Sequence, residues 1–219
     1  ALLVDATPDI TRQLTALARL DAILLTHAHI GHYIGLAYLG KEALATSELP
    51  VWATDRMASF IRDNKPWSHL VDRGQVALRR LVPDEPFAFD GVEITSFLSP
   101  HRAEDTDTVG ISVEGPSARL LYLPDADVIS PEIEARIHDV DVALIDGSFY
   151  AKDDLQGRDL SEIPHPFVED TIEQFHDAKA AIHCTHLNHT NRLLDPDPAR
   201  RPSLPTGFHV LADGQSLAL

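Results

Sequence analysis

The chain has 219 residues, of which 44% are hydrophobic and 24% are charged, a balance that is ordinary for a globular protein with a sizeable core. Its formal net charge is −16, from 34 acidic and 18 basic residues. Because nucleic acid and anionic membrane surfaces would repel such a chain at long range, neither is an expected partner. We expect a small-molecule substrate instead, and a homodimer is kept as an option.

The compartment is left open by the sequence. The chain has one cysteine, Cys184, so it cannot form an internal disulfide. No apolar run approaches the roughly 20 residues that span a bilayer. No signal peptide is visible, although the opening "ALLVD" is typical of the middle or end of a strand. We expect a soluble protein, cytoplasmic or, where a signal segment has been removed, periplasmic or secreted.

Strand and helix patterns alternate in the first third of the chain. After "ALLVD", the segment 7–20 predicts a helix with Thr7 as N-cap and Pro8 at its first position. Residues 22–25 predict a short buried strand. The remaining predictions here are a helix over residues 33–46, a strand over 51–53 and a helix over 55–63.

The rest of the chain is richer in strands. The runs "QVALRRLV", "FAFD", "VEITSFLS", "TVGISVE" and "ARLLYLPD" predict strands separated by turn residues. Two further strands, "VDVALIDG" and "AAIHC", follow the predicted helices "PEIEARIHD" and "FVEDTIEQFHD". The end, "FHVL…QSLAL", predicts a terminal hairpin. With no internal repeat and no linker, residues 1–219 are predicted to form a single domain.

Histidines and aspartates recur just past the ends of apolar strands. These residues are His27, His29, His32, His101, Asp125, Asp146, His186 and His189. Because strand ends converge on one crevice in open α/β sheets, we expect several of them to share a site.

The residue types indicate a catalytic metal. His27 and His29 alternate by two, so on an extended backbone both face one ion, whereas His32 lies across a turn and can face a second. Imidazole with carboxylate suits Zn²⁺, with Fe²⁺ or Mn²⁺ as alternatives, and one or two ions are expected. Two ions about 3.5–4 Å apart would share a hydroxide and a bridging carboxylate, for which Asp125 is the natural candidate.

Several positions have competitors. Asp127 competes with Asp125, and His189 competes with His186 for one ligand position. We favour His186 because it comes first after its strand, which leaves His189 as a proton donor or substrate contact. His165 lies on a long loop and is either a lid residue that reaches the metals or a turn before a helix. His183 and Cys184 are predicted to be buried. For four others a structural role is preferred, namely His69, His138, His176 and His209.

"THAHIGH" resembles the H-x-H-x-D-H signature of the metallo-β-lactamase superfamily, with Gly31 in the acidic position. His101, Asp125 and His186 fall in the order of that superfamily's remaining ligands. The resemblance implies an α/β fold, a four-layer αββα sandwich that would lack its first N-terminal strands here. It also implies that His27, His29 and His101 bind the first metal, and that His32 and His186 bind the second, with Asp125 between them.

A narrower resemblance is to the pyrroloquinoline quinone biosynthesis protein B branch. It is carried by "LLTHAHIGHYIGL", "DTVGISVE", "LIDGSFY" and "HLNHTN". That branch typically keeps the acid of the motif and lacks the first two histidines, whereas here both histidines are present and Gly31 replaces the acid. We therefore expect a second metal site that is weaker, or that is completed by water or by a residue such as His165 or His189.

The main hypothesis is a hydrolase in which metal-bound hydroxide attacks an ester, lactone, thioester or phosphodiester, with Asp125, His189 and His165 as catalytic residues. An alternative is an iron-dependent oxygenase or hydroxylase related to quinone-cofactor biosynthesis. A third interpretation is a metal-binding module without catalysis.

Overall fold

The computed structural model describes residues 1–155 and 164–219, and they divide into two compact units. The first unit comprises Ala1–Asp90 and Ala103–Val109, and the second comprises Gly91–Arg102 and Gly110–Leu219. The prediction of a single domain over residues 1–219 stays a prediction. Within the described part of the chain, no helix is both long and apolar enough to cross a membrane.

The first unit contains a four-stranded parallel sheet in the order β1-β2-β3-β4. Its strands are β1 (Leu2–Val4), β2 (Ala22–Leu24), β3 (Leu49–Ala53) and β4 (Val76–Arg80), and a short β5 (Phe87–Phe89) follows them. Its helices are α1 (Ile10–Ala16), α2 (Ile30–Tyr33), α3 (Asp55–Asp63) and α4 (Trp67–Asp72). Parallel neighbours require crossover connections, and these helices supply them.

Two helix predictions in this unit need correction. The helix predicted over 7–20 begins only at Ile10, with Asp9 as its N-cap, and the Thr7 hydroxyl accepts a hydrogen bond from the Asp9 amide. The helix predicted over 33–46 is instead α2 followed by a 3₁₀ turn (Ile34–Leu39). A Cβ on Gly35 would lie 2.5 Å from the Thr7 carbonyl oxygen, so only glycine allows this close backbone approach.

The core of the first unit lies between its sheet and its helices. α3 begins where predicted, after Thr54, whose hydroxyl accepts a hydrogen bond from the Met57 amide. Buried side chains from β2, β3 and the helices pack there, among them Ile23, Val51, Met57 and Ile61. Fully burying one such side chain contributes about 1.5–3 kcal/mol to the free energy of unfolding.

In the second unit, neighbouring strands follow the order β11-β10-β9-β8-β7-β6. These are β6 (Val92–Ser99), β7 (Thr108–Glu114), β8 (Arg119–Leu123), β9 (Val142–Asp146), β10 (Ala181–Thr185) and β11 (Phe208–Val210). The first residues of β7 belong to the first unit. The helices are α5 (Pro131–His138) and α6 (Val168–Gln174). β7 and β8 pair antiparallel, whereas β8, β9, β10 and β11 pair parallel.

The predicted terminal hairpin is wrong, because β11 pairs with β10 in parallel and residues 211–219 contain no strand. The core of this unit packs α5 and α6 on the sheet through residues such as Ile133, Ile145 and Phe175. β8, β9 and β10 run in the same direction, so their carboxyl ends lie at one edge of the sheet. That edge carries the polar residues of interest.

Candidate metal centre

The first unit gathers the three histidines of "THAHIGH" directly after β2. His27 and His32 are buried, whereas the side chain of His29 is 32% exposed. The ring centroid of His27 lies 4.5 Å from that of His29 and 4.2 Å from that of His32. The spacing rule therefore predicted a real cluster of imidazoles.

A carboxylate that the sequence analysis did not assign orients this cluster. Asp5 follows β1, is buried, and has a φ of 60°, a left-handed conformation that Asp and Asn adopt more readily than most residues. Its Oδ2 lies 2.7 Å from Nδ1 of His32 and accepts a hydrogen bond from the Thr26 hydroxyl at 2.9 Å. Its Oδ1 accepts the Thr26 amide at 2.8 Å. The signal was present in "ALLVD", which places an acid at the end of an apolar strand.

These contacts fix the tautomers of two histidines. The Thr26 hydroxyl has one proton, and it is given to Asp5, so the same oxygen must accept from Nδ1 of His27, 2.9 Å away. His32 likewise donates from Nδ1 to Asp5. In both rings Nε2 is therefore the atom with the lone pair, as a metal ligand requires.

The segment 103–109 holds the histidine-bearing loop from the other side within the same unit. The Thr106 hydroxyl accepts the Ala28 amide at 3.0 Å, and the Val109 amide donates to the Thr26 carbonyl at 3.1 Å. The Glu104 carboxylate lies 3.8 Å from Nε2 of His29. The loop is thus fixed on both sides of His27.

Gly31 stands in open space. A Cβ built on this glycine meets no heavy atom within 4 Å, and its φ is not positive. A side chain is therefore sterically allowed there, and the missing acid of the motif is not explained by crowding.

In the second unit, His101 follows β6 and is held by Asp127. Nδ1 of His101 lies 2.8 Å from Oδ1 of Asp127, whereas Nε2 lies 3.6 Å from Oδ1 of Asp125, which is too long for a hydrogen bond. Burial lowers the pKa of His101, and it outweighs the opposing charges of Asp125 and Asp127. The neutral, Nε2-ligating form is therefore favoured. Asp127, predicted as a competitor of Asp125, contacts the ring of His101.

Asp146 at the end of β9 holds His165. Oδ2 of Asp146 lies 2.7 Å from Nδ1 of His165 and accepts the Ala126 amide at 3.2 Å. Asp125, Asp146 and His165 each offer a ligand atom within 4.8 Å of the other two. Burial opposes the protonated ring, but the hydrogen bond to Asp146 and the charges of Asp146 and Asp125 outweigh it and raise the pKa of His165. His165 is thus suited to hold a proton.

His186 follows β10 and is oriented by Ser148. The Ser148 hydroxyl donates to the His186 carbonyl at 3.2 Å and lies 3.0 Å from Nδ1 of the same residue, so that Nδ1 is the donor. Nε2 of His186 lies 3.3 Å from Oδ2 of Asp125. The φ of His186 is 56°, a conformation found mostly where the surroundings demand it.

His189 lies in the wall of a cavity of about 370 Å³ that also includes His165, His186 and Ser148. The histidines expected to be structural stay on helices and strands: His69 on α4, His138 on α5 and His209 on β11, with His176 just after α6. His183 and Cys184 are buried in β10 as predicted. Burial, with the charge of Asp146, raises the pKa of the Cys184 thiol to about 12, so the thiol is inert.

The donor set of each unit fits a divalent ion of the zinc, iron or manganese group. Imidazole nitrogens with lone pairs accompany buried carboxylates, and outer oxygens hold each ring. Such an arrangement, with carboxylate–histidine contacts behind the ligands, is characteristic of metal sites.

The comparisons with known proteins agree with this chemistry. A family model described as "Beta-lactamase superfamily domain" matches residues 1–217. The chain belongs to this family. Its two sheets and mixed α/β structure are those of a metallo-β-lactamase fold, as predicted.

Among members of the β-lactamase superfamily, the chain resembles coenzyme PQQ synthesis protein B. It is 28% identical to that protein from Methylobacterium sp. (strain 4-46) over 253 residues, and 27% identical to that from Pseudomonas putida (strain F1) over 259. Each alignment covers 100% of this chain and 83% of the relative. The predicted similarity to that branch is confirmed.

Solved structures show the same fold. The Zn²⁺-bound PqqB from Methylobacterium extorquens matches with a TM-score of 0.81 at 24% identity, covering 100% of this chain and 83% of that one. A diphosphatase of the PhnP family matches with a TM-score of 0.70 at 20% identity, covering 98% and 77%. Human tRNase Z, short form, matches with a TM-score of 0.64 at 15% identity, covering 86% and 82%.

Proposed function

We propose that this β-lactamase superfamily member is a metal-dependent hydrolase acting on an ester, lactone, thioester or phosphodiester. One observation carries the proposal: four histidines have Nδ1 held by a protein oxygen, so that Nε2 is the ligating atom. These are His27, His32, His101 and His186. Superfamily membership supports this proposal, and two proteins of the same fold are a diphosphatase and a tRNase Z.

The proposed ligands are those that the resemblance implies. His27, His29 and His101 would hold the first ion, and His32 and His186 would hold the second, with Asp125 between them. Zn²⁺ is the proposed metal, with Fe²⁺ or Mn²⁺ as alternatives. A bound ion of this kind polarises the substrate and supplies hydroxide at neutral pH by lowering the pKa of water to about 7.

The chain's own residues complete the chemistry. Nδ1 of His165 donates to Asp146, and the raised pKa of the ring favours a second proton on Nε2, which we assign as the proton given to the leaving group. His189, in the wall of the same cavity, contacts the substrate or shares this role. The raised pKa of His165 favours the protonated ring, which has no free lone pair, so the acid role suits it better than that of a replacement ligand.

Gly31 affects the second ion. No carboxylate comes from this position, so we propose that a second ion would be held more weakly than the first, or that water or His189 would complete its site. One tightly bound ion and one exchangeable ion per chain are the expected stoichiometry.

The test is hydrolysis against oxygen consumption. Protein purified without oxygen and loaded with Zn²⁺ or Fe²⁺ is assayed on chromogenic esters, a thioester, a lactone and a chromogenic phosphodiester, while O₂ uptake is recorded. We expect hydrolysis of at least one class, loss on chelation, and at least a hundredfold loss in Asp125→Ala. Oxygen uptake with Fe²⁺ and no hydrolysis would favour the oxygenase alternative. Metal binding with neither activity would favour a non-catalytic module.

A further inference from the structure

The second unit contains a cavity of about 650 Å³ that the proposed chemistry does not use. Its wall includes His186 and Leu187, and these two residues also line the smaller cavity with His165 and His189. Both cavities therefore adjoin one short segment that bears a proposed metal ligand. A volume of this size is typical of small-molecule sites.

The walls of the large cavity are mainly apolar and are already packed. Leu193 belongs to a buried cluster with Cys184 and Val168, and Leu187, Leu204 and Val210 pack against that cluster. All four of these aliphatic side chains line the cavity. The apolar surface is thus preformed and does not depend on a ligand for its arrangement.

One arginine, Arg201, and one carboxylate, Asp213, line the cavity. Nε of Arg201 donates to the Asp195 carbonyl at 2.7 Å, and within residues 1–155 and 164–219 its terminal nitrogens contact no carboxylate. Its neighbour Arg200 is different, because it pairs with Asp197 at 3.5 Å and does not line the cavity. Because no ion pair joins Arg201 to Asp213 within the described residues, the terminal donors of Arg201 are available to an anion.

The loop that carries Arg201 is stiff. Asp195 and Asp197 accept backbone amides two residues on, and a 3₁₀ turn (Pro198–Arg200) precedes the arginine. Prolines at positions 196, 198, 202 and 205 restrict the backbone further. A cation on such a loop loses little freedom when it binds a ligand.

We infer that this cavity binds the body of the substrate, an apolar organic anion whose carboxylate or phosphate pairs with Arg201. The aliphatic wall takes the hydrocarbon part, and the end near His186 carries the reactive bond. That the ligand is a substrate rests on the proposed function. Binding of an apolar anion in this cavity does not depend on catalysis.

Binding of simple probes tests it. Butanoate, hexanoate, octanoate, octyl phosphate, octylamine and octanol are titrated into the full chain with and without Zn²⁺, and dissociation constants are measured by ligand-observed NMR. We expect affinity to rise about three- to fourfold per methylene. Octanoate or octyl phosphate should bind at least about tenfold more tightly than octylamine, and the tighter of the two identifies the headgroup.

Matched variants make the test specific. Arg201→Gln should weaken both anions about tenfold and leave octanol unchanged, whereas Arg200→Gln should change neither. Ala212→Trp, at an exposed wall position, should abolish binding of all probes, and Ala199→Trp, outside the cavity, should not. Thermal unfolding confirms that each variant is folded.

Three results would overturn the inference: octylamine binding as tightly as the anions, equal effects of the two arginine variants, or unchanged binding in folded Ala212→Trp. The two proposals fail separately. Probe binding with this pattern but without hydrolysis removes only the hydrolase proposal. Hydrolysis with a KM unaffected by Arg201→Gln and Ala212→Trp removes only the cavity inference.

Discussion

The two units orient their histidines in different ways. In the first, one carboxylate, Asp5, holds His32 directly and His27 through Thr26. In the second, three histidines have separate partners, and the pairs are His101 with Asp127, His165 with Asp146 and His186 with Ser148. One carboxylate therefore orients two imidazoles in the first unit, whereas separate residues orient the imidazoles of the second.

This difference determines how many imidazoles a single substitution releases. Loss of Asp5 releases two imidazoles and leaves buried donors without acceptors. Loss of Asp127 releases one imidazole, and its side chain is 31% exposed, so water can take its place. The first unit should therefore respond to a single substitution much more strongly than the second.

The largest expected effect is that of Asp5→Ala. It removes acceptors from the Thr26 amide, the Thr26 hydroxyl and His32, and each buried group left unsatisfied costs about 1–3 kcal/mol. Alanine at a φ of 60° adds roughly 1 kcal/mol of backbone strain. We expect the free energy of unfolding to fall by at least about 3 kcal/mol and metal affinity to fall about 100-fold. Urea denaturation and metal competition measure the two.

Asp5→Asn is the matched control. Asparagine tolerates the left-handed backbone and keeps one side-chain oxygen as an acceptor, so it should recover more than half of the lost stability. It should not restore metal affinity, because its uncharged amide cannot accept from both Thr26 and His32. Equal affinities in Asp5→Asn and the unsubstituted chain would refute the shared-carboxylate account.

Asp127→Ala is expected to have a smaller, local effect. Metal affinity should fall about tenfold because His101 loses its orienting oxygen, and the free energy of unfolding should change by less than about 1 kcal/mol. The same competition and urea measurements apply. A loss as large as that of Asp5→Ala in both quantities would erase the contrast between the units.

Gly31→Asp gives the first unit the carboxylate that the motif lacks. Because the space beside Gly31 is open, the fold should be kept and the exchangeable ion should bind about tenfold more tightly. Zn²⁺ titration against a chromogenic chelator measures the affinity for this ion, and Gly31→Asn is the uncharged control. No difference between the aspartate and asparagine variants would show that this position does not face the metal.

The smallest expected effect is a pH dependence in metal-free protein. The pKa of His165 is raised in the folded chain, so its protonation stabilises the fold at pH values below about 6.5, the ordinary value. That contribution is lost as the pH rises through the folded pKa. The stability difference between the unsubstituted chain and His165→Gln should thus shrink from pH 6 to pH 8, by urea denaturation. A difference that grows over this range would contradict the assignment.

Strand-end reasoning identified most of the candidate residues because it depends only on local sequence. Asp125, His101 and His186 each follow an apolar run that forms a strand. The role of Asp5 escaped it, since its partners Thr26 and His32 are more than 20 residues away and the contact requires β1 and β2 to be neighbours. Asp127 and Ser148 escaped for the same reason.

The errors in the fold also have tertiary causes. The helix predicted over 33–46 fails because the Gly35 amide donates to the Ala6 carbonyl at 2.8 Å, a long-range contact that no helical period reveals. The terminal hairpin fails because β11 finds its partner in β10, upstream in the chain. The local sequence pattern predicted the strands, whereas their pairing depends on tertiary packing.

The central claim is that metal held by these histidines makes the chain a hydrolase. The most direct measurement is a Zn²⁺ titration of chelated protein in which bound ions per chain and the rate of ester or phosphodiester hydrolysis are recorded together. We expect hydrolysis to appear as the first ion binds, and we expect this ion not to bind tightly in His27→Ala. Full hydrolysis before any ion binds, or tight Zn²⁺ binding that is unchanged in His27→Ala, would contradict it.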